Sequence, residues 1–330
     1  MRRALPIVIL LLPLLGLVWS TARIDPLSFN PWVQVADMTA SVPSAERRAL
    51  GPFTLERAWR LTGHDQRFGG YSALVLQPSG LLAISDRNRA LPLRLPIEPG
   101  AQKLQMPRLI SQHWPDGRGY VGFDTEAAVR DPSDGSLWIG LEDDPRVVRA
   151  DARSGMARLL IVPETRDWPA NGGAEAMARL NDGRWIMLCE SCSTGKQGVH
   201  VGLIFAGQPA RSPAQKFNFA VPSGFDPVDA ATLPDGRVLI LVRRLALFPP
   251  HFEARLVLAD FDALDPRRPL LTLELGRIDG PVLRENWEGM VLAPAGDHLD
   301  LWLVSDANDA ALQETRLLEL RLDVAALPKP

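Results

Sequence analysis

Short apolar runs alternate with tight polar turns along most of the chain, and one such unit recurs five times. Its clearest copies are Glu175 to Leu180, the turn Asn181-Asp182-Gly183, then Arg184 to Leu188; and Asp229 to Leu233, the turn Pro234-Asp235-Gly236, then Arg237 to Val242. Related units begin at Ser72 (turn Pro78-Ser79-Gly80), Glu126 (turn Pro132 to Gly135) and Glu288 (turn Pro294 to Asp297). Asp-Gly between two apolar runs predicts a β-hairpin. The first strand of each unit is rich in Ala and Gly, which are poor strand formers. That composition suits inner strands crowded around an axis.

The units are spaced by 54, 49, 54 and 59 residues, longer than one hairpin needs. Further strands fit between them, such as Val199 to Phe205, Arg255 to Phe261 and Arg316 to Leu322. The pattern predicts an all-β fold, a single β-propeller of five or six blades, mostly of four antiparallel strands. A strand at Phe53 to Leu61 would complete the blade formed by the C-terminal segment and so remove free sheet edges. A β-sandwich also explains the alternation, but not a recurring unit with an acidic residue in the same place. Residues 51–330 are read as the propeller, 23–50 as an irregular lead-in, and no helical pattern is evident beyond the N-terminal segment.

That segment changes the picture of where the protein works. Arg2 and Arg3 precede an apolar run from Ala4 to Trp19, and Ser20-Thr21-Ala22 offers a small-residue cleavage site after Ala22. Residues 1–22 therefore read as a secretory signal peptide, placing the mature chain in the periplasm or outside the cell. An uncleaved segment would instead anchor it in the membrane. Cys189 and Cys192 are the only cysteines, and in an exported protein they are expected to form a local disulfide. The net charge is −3, with no basic block or zinc-finger spacing, which argues against nucleic acid as a partner. A monomer acting on a small, anionic molecule is expected.

Candidate chemistry follows from strand direction. The start of a hairpin's first strand and the end of its second lie at one end, so those positions from all units collect at one mouth of the channel. First-strand starts carry Glu126, Glu175, Asp229 and Glu288, with Asp124 and Asp226 slightly earlier. Second-strand ends carry Asp86-Arg87, Glu142-Asp143-Asp144, Glu190, Arg243-Arg244 and Ser305-Asp306. Crowded carboxylates repel unless a cation neutralises them, and hard divalent cations, above all Ca2+, suit oxygen ligands. The same carboxylates can instead accept backbone N–H groups or pair with neighbouring arginines. Asn171-Gly172-Gly173 is either a turn or a backbone nest for an anion. No Gly-x-Ser-x-Gly elbow is present, and the five histidines show no metal-ligand spacing.

Phe68-Gly69-Gly70-Tyr71-Ser72-Ala73-Leu74 followed by Ala83-Ile84-Ser85-Asp86-Arg87 resembles the opening of the phytase-like, esterase-like propeller family of bacterial exported proteins. Asp124-Thr125-Glu126-Ala127, Asn171 to Ala176 and Glu285 to Met290 resemble its later acidic repeats; Tyr71 stands where the family pattern expects leucine. The resemblance implies an exported propeller and hydrolysis of phosphate or other esters. On the preferred reading, Glu126, Glu175, Asp229 and Glu288 hold Ca2+ and carry catalysis. Arg87, Arg243 and Arg244 engage the substrate's anionic group, beside Asp86 and Asp306. A non-catalytic binding propeller of the cell envelope and a calcium-dependent lactonase are the alternatives.

Overall fold

The computed structural model describes residues 30–110, 124–142, 145–154, 156–307 and 313–328. The signal segment 1–22, His113, Asp143 and Asp144 lie outside them. Among the described residues the alternating runs become 21 strands. The first two are β1 (Trp32–Asp37) and β2 (Phe53–Gly63). A meander of β3 (Tyr71–Gln77), β4 (Gly80–Ser85) and β5 (Arg89–Arg94) follows, then β6 (Gly100–Lys103). The second meander is β7 (Thr125–Arg130), β8 (Leu137–Leu141), β9 (Arg146–Ala150) and β10 (Ala157–Ile161). The third is β11 (Ala174–Arg179), β12 (Trp185–Ser193), β13 (Val199–Phe205) and β14 (Ala214–Ala220). The fourth is β15 (Asp226–Thr232), β16 (Val238–Leu247), β17 (Pro250–Ala259) and β18 (Leu270–Ile278). The last, β19 (Trp287–Ala295), β20 (His298–Ser305) and β21 (Thr315–Leu322), takes β2 as its fourth strand.

Each recurring unit is thus the first hairpin of a meander. The five first strands touch in a closed cycle: β3 with β7, β7 with β11, β11 with β15, β15 with β19, and β19 with β3. The core is divided the same way. Five apolar clusters each fill the wedge between two consecutive meanders, and the cluster holding Trp59, Trp302, Leu74 and Leu81 closes the circuit between last and first. This is the ring architecture of a β-propeller.

Small residues line the axis because the first strands nearly touch. A Cβ built on Gly289 of β19 would lie 2.8 Å from the backbone of Ala73 on β3. Ala73, Ala127, Ala176 and Gly289 occupy one register, opposite Ile84, Gly140, Leu188 and Val304.

The lead-in is more ordered than the alternation implied. β1 lies inside residues 23–50 and pairs with β2 and β6, extending the last sheet outward. A six-residue helix, α1 (Ser44–Ala49), follows. Its Glu46 is buried and accepts the Leu283 N–H at 2.8 Å and the Val282 N–H at 3.1 Å. The lead-in therefore clamps the loop that leads into β19. The third strand expected at Arg255 to Phe261 is β17, which begins five residues earlier, at Pro250.

Candidate functional site

Every first strand carries a β-bulge at its second or third residue. The extra residue is Ser72 in β3, Glu126 in β7, Glu175 in β11, Val228 in β15 and Glu288 in β19. A bulge breaks the alternation and re-aims one side chain. Here it sets three glutamates of different meanders within electrostatic reach of one another at the end of the channel.

A second ring sits where the second strands end. The N–H groups of Asp86, Glu142, Glu190 and Asp306 bond to the carbonyls of Gly70, Asp124, Gly173 and Asn286, and Arg243 pairs with Asp226 at the same register. Tight turns make room for these side chains. A Cβ on Gly70, at φ +66°, would lie 2.1 Å from the Asp86 carboxylate. One on Gly172, at φ +85°, would lie 2.8 Å from the Glu190 carboxylate. The Gly172 N–H donates to Glu142 Oε1 at 2.7 Å, so the anion at the Asn171-Gly172-Gly173 turn is the protein's own.

Burial makes the carboxyls of this mouth hold their protons tightly, and the crowding of carboxylates adds to it. Burial pushes Glu126 well above the usual range, and Glu175, Glu288, Asp124 and Glu142 add to the effect. Glu175 is raised by burial, then by Glu190 and Glu288, against the pull of Arg243. Burial brings Glu288 up to about 8 despite Arg243. Asp86 is pushed to about 7 by burial and then by Asp306, against the pull of Arg87.

The sequence-derived candidates separate into three groups. Glu126 gathers with Asp124 and Glu142: one carboxylate oxygen from each lies within 4.8 Å of the others. A point equidistant from three oxygens so spaced lies within about 2.8 Å of each, so a shift of a few tenths of an ångström would bring all three to a calcium–oxygen distance of about 2.3–2.6 Å. The largest influences on Glu126 include no arginine or lysine. A donor set of three hard carboxylate oxygens fits a divalent cation.

Glu175, Glu288 and Glu190 instead surround Arg243. Its guanidinium donates to Asn286 Oδ1, to Glu288 Oε1 and, at 3.1 Å, to Glu190 Oε1, and it lies over the Phe252 ring with Cζ 5.5 Å from the centroid. At least three of its five N–H groups are committed within the protein, so Arg243 is a brace for the ring. Arg87 stays beside Asp86 at 3.5 Å, and Asp306 stays near both Asp86 and Glu288.

Two candidates are placed elsewhere. Asp229 sits one position past the bulge, in register with Ala73, Ala127, Ala176 and Gly289. Its carboxylate is buried, accepting the Ala230 N–H at 2.8 Å and the Met290 N–H at 2.6 Å. It fastens β15 to β19 and is not grouped with the oxygens of Asp124, Glu126 and Glu142. Arg244 points to the opposite face of β16 from Arg243, pairing with Glu253 at 2.7 Å over the Phe225 ring. Of the four ligands expected from the sequence, only Glu126 falls in the group it forms with Asp124 and Glu142. The signal for Asp124 and Glu142 was the shared strand end, but neither carries the repeat's first-strand acid.

A model of the phytase-like family, described as esterase-like activity of phytase, matches residues 66–309. The chain belongs to this family. The span matched by the phytase-like model runs from just before β3 to just past β20, so it holds every mouth residue named above and excludes the closing strand β2. No curated protein matches the chain. Among solved structures, a PQQ-bound aldose sugar dehydrogenase from Streptomyces coelicolor superposes with a TM-score of 0.45 at 15% identity, over 83% of this chain and 98% of that one. A gluconolactonase from Xanthomonas campestris gives 0.42 at 13% identity, over 91% and 96%. At this level the likeness says nothing of what this chain binds. Cys189 and Cys192 form a disulfide that flanks Glu190 in β12.

Proposed function

We propose that this phytase-like chain is a five-bladed propeller, each meander one blade, that hydrolyses esters with a divalent cation held by Asp124, Glu126 and Glu142. The observation that carries this reading is the convergence of those three carboxylates with no guanidinium among the main influences on Glu126. Calcium suits such oxygen ligands. Bound there, the ion would supply polarisation of the ester oxygen and a more acidic water. Asp86 adds the proton chemistry. It is one-third exposed, its carboxyl is pushed to about 7, and it can hold a proton at neutral pH and release it to a leaving oxygen. Arg87 beside it orients that carboxyl.

The balance of charge narrows the ester. Arg243 is occupied and Arg244 is turned away, so beyond the cation itself a phosphomonoester dianion would meet carboxylates with Arg87 as the remaining counter-charge. A neutral carboxyl ester or lactone escapes that repulsion and is the favoured substrate class. We further infer export, with residues 1–22 removed, on the evidence of the N-terminal sequence alone.

The test is hydrolysis of carboxyl esters, lactones and phosphomonoesters by the mature protein, with calcium and with a chelator. Calcium-dependent turnover of a neutral ester is expected. Glu126→Gln should weaken calcium binding by calorimetry at least ~10-fold and abolish turnover while the chain stays folded. Turnover undiminished by chelator and by Glu126→Gln would defeat the assignment.

A further inference from the structure

One hairpin runs furthest past the mouth. β4, β8 and β20 end at the residue before the second ring and β12 runs three residues past Glu190 to Ser193, whereas β16 runs four past Arg243 to Leu247 before turning through Phe248-Pro249 into β17. The projecting part has two unlike faces. Side chains alternate along a strand, and directly paired residues share a face. Arg244 therefore lies with Glu253, and His251 Nε2 reaches Glu253 at 3.4 Å, making one face charged. The other face, which carries Arg243, pairs Leu245 with Phe252 and Leu247 with Pro250. Phe252 lies against Arg243, whose guanidinium reaches Asn286 and Glu288, so this apolar face is continuous with the mouth.

Leucines so placed ordinarily pack inward, yet Leu245, Leu247 and Phe248 are 43%, 77% and 94% exposed. Contiguous exposed apolar surface beside a polar site commonly marks a place where something binds. We infer that this face is the wall against which the apolar chain of the substrate lies, so that the substrate is an amphiphilic ester. Its polar ester group would enter the carboxylate mouth while its acyl or aryl chain covers Leu245, Leu247 and Phe252. This rests on the ester reading of the mouth and adds the specificity element to it.

The experiment is a titration with trifluoromethyl ketones, non-hydrolysable ester analogues, from ethyl to octyl chain length, followed by fluorine NMR in the presence of calcium. Burial of each methylene should tighten binding by about two- to fourfold. In Leu245→Ser/Leu247→Ser/Phe248→Ser, whose changes are on exposed positions, that dependence should flatten, whereas Glu253→Gln on the opposite face should keep it. Affinity independent of chain length in the wild type, no binding at any length, or an unchanged slope in the triple variant would overturn the inference. So would capture of the wild type, but not the triple variant, by zwitterionic vesicles with a flat ketone series, which would assign the face to a lipid surface. A chain-length slope in binding with no ester turned over would uphold the apolar wall and sink the hydrolase reading. Turnover without a slope would do the reverse.

Discussion

At the scale of single residues, the mouth shows how one bulge separates a carboxyl of the mouth cluster from a fastener. Glu126, Glu175 and Glu288 occupy the bulge, while Asp229 lies one residue beyond it and bonds the Met290 N–H. Asp229→Ala should leave two buried N–H groups without their acceptor, costing about 2–6 kcal/mol of stability at ~1–3 kcal/mol per orphaned group. Urea denaturation would read that loss, and calcium affinity of the folded variant should match the wild type; lost affinity at intact stability would refute the fastener role. The collection of carboxylates at one end was legible from hairpin polarity alone. The finer assignment was not, because an acidic residue recurs without holding register. Glu175 stands eight positions before Gly183 and Glu288 eight before Gly296, but Asp229 stands only seven before Gly236. Counting back from the turn points to Val228 as the equivalent residue. Nothing in the sequence says that Arg243 turns inward and Arg244 outward, since strand alternation leaves the phase open.

At the scale of elements, the five hairpins were readable because Asp-Gly and Pro-rich turns punctuate runs of matching length. β1 escaped notice because it is six residues long, lies outside the recurring unit and pairs on the outside of the last sheet, where half of its side chains are solvated. α1 escaped because six residues are too few to show a helical period. The closing strand β2 was expected, and its hold on the ring is concrete. Trp59 of β2 stacks on Trp302 of β20, with ring centroids 5.6 Å apart and planes inclined by 13°, both fully or almost fully buried. Trp59→Ala should cost about 3–5 kcal/mol in chemical denaturation, the usual toll of emptying a buried aromatic site. A loss below ~1 kcal/mol would mean that β2 contributes little to closure.

For the whole molecule, the raised carboxyls tie stability to pH. Glu288 at about 8 and Asp86 at about 7 stay protonated in the folded chain at pH values where the unfolded chain has released those protons. Their contribution is complete below roughly pH 4 and is lost as pH rises through 7 and 8, so the metal-free protein should melt at a lower temperature at pH 8.5 than at pH 5.5 as far as these groups decide it. Glu288→Gln should shallow that decline in calorimetric scans, and an unchanged slope would exclude Glu288 as its source. Saturating calcium should oppose the decline through mass action, by ~2.7 kcal/mol at a hundredfold excess over Kd, and Glu126→Gln should remove this protection.

The seam that closes the ring joins the beginning of the chain to its end: Arg60 of β2 bonds Glu314, 254 positions away in the sequence. During synthesis, β2 is among the first strands made and its neighbour β21 among the last. This apolar strand, containing Leu55, Trp59 and Leu61, can pair with β1 at once, but its other edge must wait open while nearly the whole ring is made. Pairings this distant along the chain are slow to form, and a waiting strand edge invites other chains. The newborn protein is therefore most open to pairing with other chains in the interval before β21 is released.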